Sequence, residues 1–320
     1  MDTPASGSPH LSWANVGIAL SFIVFNTLLS NFLHLDVGFS LLTAALRCVV
    51  QLAIVGTILR KVFEANNPWA VAGITFLLNL LGTIEIFFNK AKKRHDGMFP
   101  SVLLSMLCST IPISIIGARF AMSADPFWTP SNFIPVVGML CGSTINGIIV
   151  STTYVLKELS DNRHVVETYL AYGASRTEAT RPILISALRF ALTPTINQMS
   201  VLGIIAIPGM MTGAILGGAD VEQAAKLQTV IMFMISASTA LASIISAFWS
   251  MSVGIDGEHR VRVDRIQGPF KWPNLGIVDG LKGLRTRATS YFTRRRTRPT
   301  RSDSTSTLLS PRSPTLGRRG

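Results

Sequence analysis

Apolar residues run along this chain in blocks of about twenty, the length a helix needs to cross the hydrocarbon layer of a bilayer. Seven blocks reach it: Trp13 to Leu33, Phe39 to Leu59, Pro68 to Phe88, Pro100 to Met122, Asn132 to Leu156, Pro182 to about Ile205, and Gln223 to Val253. The pattern predicts an all-α, polytopic membrane protein with about seven transmembrane helices. Residues 1–12 are polar and carry no Lys or Arg, unlike the basic start of a signal peptide. Residues 13–256 form the helical domain. Residues 257–320 hold few apolar side chains and many Arg, Ser, Thr and Pro, a composition that predicts a disordered tail.

The longest polar break, residues 157–182, has internal punctuation. From Arg163 to Tyr172 the apolar residues Val165, Val166, Tyr169, Leu170 and Tyr172 lie roughly on one side of a helical wheel, which predicts a short amphipathic helix. Gly173 ends it, and Ser175-Arg176-Thr177-Glu178 is a Ser-x-x-Glu capping box that starts a second helix. Pro182 suits the first residue of the span that follows. A helix, a sharp corner and a helix on the water side of a membrane bundle make a docking surface. A plain connecting loop is the alternative.

Polar residues inside the spans are few. A charge at the bilayer centre costs about 2.5–3.5 kcal/mol on insertion scales, so those that persist mark packing contacts or a wet path. Arg47 and Gln51 share one face of the second span, and Thr75, Asn79, Gly82, Glu85 and Asn89 follow helical spacing on the third. Helical rise places Arg47 and Glu85 near enough in depth to pair, with Arg189 of the sixth span at a similar level. The fifth span carries Gly138-x-x-x-Gly142 with Ser143, Thr144 and Asn146, a face for close helix approach. Pro194 interrupts the sixth span beside Asn197 and Gln198, as in a kinked helix lining a substrate path; a structural kink reads equally well. Gly203 to Gly218 is uncharged and too short to cross, and it resembles a re-entrant or capping segment containing Pro208, Gly209, Met210 and Met211. Met199, Met210 and Met211 offer soft thioethers, yet no metal ligand set is assigned.

Composition agrees with a membrane protein: 48% apolar, 14% charged, mean hydropathy +0.42. The net charge of +12 resembles a nucleic-acid signature until it is located. Residues 257–320 carry 15 Lys/Arg against 4 Asp/Glu, and the other 256 residues are almost neutral. The basicity belongs to the tail, whose Arg294-Arg295-Arg296 cluster suits anionic lipid rather than nucleic acid. Lys90, Lys92, Lys93, Arg94, Lys157, Arg163, Arg176 and Arg181 lie in alternate loops, which orients the amino terminus outside and the carboxyl terminus in the cytoplasm. Arg60 and Lys61 dissent. Plasma, vacuolar and endosomal membranes stay open. Cys48, Cys108 and Cys141 read as small buried hydrophobes. No G-x-x-x-x-G-K-[ST] loop is present to cradle ATP.

Glu167, Gly173 and Ile183 stand at the spacing of the loop by which ABC importer permeases dock onto their ATPase, with Thr168 and Tyr169 in place of two alanines. A wider resemblance covers residues 13–253. Arg47-x-x-x-Gln51-Leu52 with Gly56, Phe133-Ile134-Pro135 with Gly138-Met139, Tyr172-Gly173-Ala174-Ser175, Leu192-x-Pro194-Thr195, Pro208-Gly209-Met210-Met211-x-Gly213 and Ala225-Lys226-Leu227-Gln228 resemble the bacterial iron-export and plant aluminium-tolerance permease family. The resemblance implies a permease half-transporter, expected as a homodimer, driven by a separate ATPase that carries the ATP and Mg. It implies coupling through Glu167, Leu170, Tyr172, Gly173, Ala174, Ser175 and Glu178. The path would run past Arg47, Gln51, Asn79, Glu85, Asn146, Pro194, Asn197, Gln198, Pro208, Gly209, Met210 and Met211. Metal export or tolerance is the expected activity. A secondary transporter using Glu85 for protons and a seven-span receptor are the alternatives.

Overall fold

The computed structural model describes residues 12–268 except 34, 36, 66 and 257–259, so the amino terminus and most of the expected tail lie outside the described residues. The described chain folds into α1 (Trp13–Phe32), α2 (Gly38–Ala65), α3 (Pro68–Glu85), α4 (Met98–Ile116), α5 (Pro130–Asp161), α6 (Arg163–Ala171), α7 (Arg176–Val201), α8 (Gly209–Leu216) and α9 (Val221–Gly254). Two short strands, β1 (Arg94–His95) and β2 (Ile266–Gln267), pair antiparallel. Six helices, α1 to α5 and α9, are long and apolar enough to span a bilayer. The expected sixth span differs. α7 is 26 residues, ample in length, but Arg176, Glu178, Arg181, Arg189, Asn197 and Gln198 make it more polar than the others. Its start also lies upstream of Pro182. The capping box fires at Ser175, and the helix runs unbroken through Pro182 and Pro194. Each proline forgoes one ladder bond, to the carbonyls of Glu178 and Phe190.

The centre of the bundle is the pair α5 and α9, which touch more extensively than any other two helices. Thr144 Oγ1 lies 3.2 Å from Ser238 Oγ, and eight residues further along both helices Thr152 Oγ1 lies 2.7 Å from Ser246 Oγ. Equal steps along both chains mean the two helices run parallel. Between these ties sits Gly147, where a Cβ would meet Thr239 Cγ2 at 2.6 Å and Ser243 Oγ at 2.7 Å. Lipid tails are as apolar as leucine, so close backbone approach and interhelical hydroxyls, rather than exclusion of water, hold such a pair. α4 and α7 flank this core, and α3 joins through α4 and α5. Asn79 of α3 is sealed inside: Thr110 Oγ1 of α4 donates to its Oδ1 at 2.8 Å, and its Nδ2 donates to the Thr75 carbonyl at 2.8 Å.

α1 touches chiefly α2, and none of the apolar window of α2 is buried. This hairpin is moored at two places. Arg47 pairs with Glu85, which also accepts from Asn89 Nδ2 at 2.7 Å, and Leu59 and Val62 rest on the α3–α4–α5 cluster. Cys141 is buried as expected, whereas Cys48 and Cys108 lie on the outside of the chain. An apolar run does not separate core from perimeter, because both faces of a membrane helix are apolar.

Gly147→Val is expected to force α5 away from α9 and to destabilise the bundle by about 1–3 kcal/mol, as overpacking does. Thermal unfolding of the purified protein in detergent measures it; an unchanged midpoint contradicts the central role of the seam.

Candidate functional site

At one end of the bundle the α5 carboxyl terminus, α6 and the start of α7 form a bent corner. Asn162 separates α5 from α6, and Asn162 Nδ2 donates to Glu158 Oε1 at 2.6 Å. Gly173 then takes φ +90°, the left-handed conformation that favours glycine, and the Ala174 N–H donates to the Tyr169 carbonyl at 3.1 Å to close the helix end. Ser175 caps α7: the Glu178 N–H donates to Ser175 Oγ at 3.3 Å, and the Ser175 N–H donates to Glu178 Oε2 at 2.8 Å. The Ser175 hydroxyl and N–H hold the Glu178 carboxyl below its usual range.

The apolar residues of α6 divide into two strips. Val166 (1% exposed) and Leu170 point inward to a cluster with Val155, Leu159, Ala179, Ile183, Ala187 and Met251, against which Ala174 also rests. Val165, Tyr169 and Tyr172 point outward, Tyr172 at 89% exposure. Positions 165, 169 and 172 follow helical spacing, so they form one exposed ridge of a valine and two tyrosines that ends at the residue after α6. Glu167 pairs with Arg163 one turn back, Arg163 Nε lying 2.6 Å from Glu167 Oε1.

The segment leaving α9, within the stretch expected to be disordered, folds back onto this corner. Ile255 bridges Val261, both almost wholly buried, and they join the cluster that holds Val166 and Leu170, with Ile266 packed against it. β2 lies on β1, His95 opposite Ile266 and Arg94 opposite Gln267. Arg94 donates from Nε and Nη2 to the Gly268 carbonyl at 3.3 and 3.2 Å and lies over the Phe87 ring, 5.0 Å from its centre. Gln267 Nε2 donates to Asp96 Oδ1 at 2.8 Å. Lys93 Nζ, on the same loop, donates to Ser160 Oγ at 2.8 Å at the end of α5. This clasp was not legible from composition, although Val261 and Ile266 are apolar residues inside a basic stretch.

The residues expected along a path are spread over the outer face of the single chain. The structure joins Arg47 to Glu85, with Gln51 exposed one turn further along α2. Asn146 is exposed on α5 beside the half-buried Gly138 and the exposed Gly142, and Pro194, Asn197 and Gln198 are exposed on α7 with Arg189. Pro208 caps α8, a helix with no buried residue; Met210 rests with Met199 on the α9 side, Gly209 is exposed and Met211 half-buried. Asn79 faces its α4 partner rather than this surface. Among the described residues no group of three His, Cys, Asp or Glu stands close enough to hold a metal ion.

The profile of the UPF0014 family, described as an uncharacterised protein family, matches residues 13–253. The chain belongs to the UPF0014 family. A UPF0014 membrane protein of Synechocystis sp. is 32% identical over 236 residues, 73% of this chain and 90% of the relative. The Escherichia coli protein named "Probable iron export permease protein FetB" is 24% identical over 81% of this chain and 98% of its own length. Protein ALUMINUM SENSITIVE 3 of Arabidopsis thaliana is 28% identical over 72% and 82%. No solved structure matches. The membership makes this an integral membrane protein, and the matched segment holds α1 to α9, apart from the last residue of α9. The clasp lies beyond it.

Burial holds His95 neutral, lowering its pKa below the ordinary 6.5; the Asp96 carbonyl, 2.9 Å from Nδ1, and the Asp96 charge oppose this and are outweighed. A group whose folded pKa is depressed in this way takes its proton more readily when released. The clasp is therefore most stable above about pH 6.5 and weakens as the pH falls below that value. Hydrogen exchange of the amides of residues 260–268, corrected for intrinsic rate, is expected to quicken between pH 7.5 and pH 5, and His95→Gln to flatten the change. A pH-independent rate in the unaltered chain contradicts it.

Proposed function

We propose that this UPF0014 protein is the membrane subunit of an ATP-driven transporter of the ABC type, and that a separately encoded ATPase docks on α6. The observation that carries the reading is the outward ridge of Val165, Tyr169 and Tyr172, apolar and unpartnered, on a short helix seated across the joint between α5 and α7. Exposed aromatic residues of this kind are what interface cores are built from. A helix wedged between two spans passes a push from its partner directly to both. The chain contains no phosphate-binding loop, so ATP and Mg belong to the partner.

Orientation follows from charge. The α3–α4 connection, α6 and the first turns of α7 carry Lys90, Lys92, Lys93, Arg94, Arg163, Arg176 and Arg181, which favours the cytoplasmic side for α6 and the carboxyl terminus and the outer side for the amino terminus. Polarity supports a homodimer. Arg47, Gln51, Asn146, Arg189, Asn197 and Gln198 are exposed on the single chain, and a bilayer tolerates such groups where they face protein or water. A second copy apposed on this face would enclose them around a path. Metal-ion export or metal tolerance is the cargo class supported by the names of the Escherichia coli and Arabidopsis relatives.

Purified from its own membranes in mild detergent, the protein is expected to bring down an ABC-type ATPase. The double variant Tyr169→Asp, Tyr172→Asp should recover at least tenfold less of it with no change in the thermal midpoint, because both side chains leave the core untouched. Equal recovery by the double variant would overturn the assignment of the docking surface.

A further inference from the structure

The clasp and the docking helix share one hydrophobic cluster. Ile255 and Val261, 1% and 3% exposed, are buried in the same cluster as Val166 and Leu170, the inward strip of α6, and Ile266 leans on it. α6 is only nine residues long, too short to hold its helical form alone, so whatever covers its inner strip decides where it sits. The cluster it enters has three other walls. α5 contributes Val155 and Leu159, α7 contributes Ala179 and Ile183, and the third is the end of α9 with the chain after it, Ala247, Met251, Ile255 and Val261.

That third wall is fastened independently of α6. Arg94 reaches across from the α3–α4 loop to the Gly268 carbonyl, Gln267 reaches back to Asp96, and Arg262 Nε donates to Asp256 Oδ2 at 3.0 Å within the turn. The same α3–α4 loop holds the end of α5 through Lys93 and Ser160. The fastening therefore links the loop between α3 and α4, the end of α9 and the back of α6 in one connected unit. Residues 255–268 lie outside the segment matched by the family profile.

We propose that residues 255–256 and 260–268 complete the third wall of the docking seat, and that Arg94 and Val261 are positioning residues that fix α6 for the ATPase. This rests on the reading of α6 as the docking helix. It adds that the affinity for the ATPase depends on a segment that shares the buried cluster behind α6. The two moorings have different chemistry. Arg94 acts by hydrogen bonding to a backbone carbonyl in the water-side loop, and Val261 by filling the cluster.

The test places a spin label at His164→Cys, on the exposed side of α6, in a chain with Cys48→Ala and Cys108→Ala, and adds Arg94→Ala, Val261→Asp or Val261→Ile. Arg94→Ala and Val261→Asp should each make the label markedly more mobile and weaken binding of the co-purifying ATPase about tenfold, while Val261→Ile behaves as the unaltered chain. The thermal midpoint of the membrane helices should move little with Arg94→Ala, because its contact with the Phe87 ring lies at the very end of the third span. An unchanged label in both Arg94→Ala and Val261→Asp overturns the proposal, and so does a mobile label with undiminished ATPase binding. If no ATPase binds even the unaltered chain but the label still loosens, the seat stands and the docking reading falls.

Discussion

Removing water as the solvent around the spans leaves backbone proximity as the main force between helices, and the α5–α9 seam is where this chain uses it. Gly147 has no side chain because Thr239 and Ser243 occupy the space one would need. The two hydroxyl ties on either side lock the parallel register, since sliding one helix by a residue separates both pairs together. Everything else attaches outward from this line. α4 and α7 lie against α9, α3 reaches the core through the Asn79–Thr110 bond, and the α1–α2 hairpin is moored last.

The same logic explains why the α6 end is well packed while the perimeter is not. At the α6 end water returns, apolar side chains again gain by leaving it, and a cluster of ordinary globular character forms from four pieces of chain. The perimeter of the spans obeys a different rule. There an exposed leucine is at home, whereas a polar side chain such as Arg189 or Asn197 is costly against lipid.

Much of this was legible in the sequence because the relevant signals are local. Span lengths, the Ser175–Glu178 capping box, the Gly173 stop and the Arg47–Glu85 pair each depend on spacing along one or two helices. What was not legible depends on which way an apolar residue faces. The apolar side of α6 reads as one surface, yet Val166 and Leu170 turn in while Val165, Tyr169 and Tyr172 turn out. Cys48 and Cys108 look like core and lie outside. Asn79 looks like a path residue from its spacing with Glu85, but the hydroxyl that receives it comes from Thr110, 31 positions away. Pro182 reads as a helix start because the capping box and the span look like two elements; a single helix carries both. The clasp was hidden for the opposite reason: its composition is that of an unfolded chain, and the contacts that hold it, Val261 and Ile266 on the buried cluster and Arg94 on the Gly268 carbonyl, reach across from distant parts of the sequence.

The central claim is that the ridge on α6 faces the cytoplasm and is covered there by an ATPase. Sided labelling decides it most directly. In a chain with Cys48 and Cys108 replaced by alanine, Tyr172→Cys is treated with a membrane-impermeant maleimide in intact cells and again after the membrane is opened. The account predicts labelling only after opening, and protection of that cysteine when the ATPase is present. Labelling in intact cells would place the ridge on the outer side and contradict it.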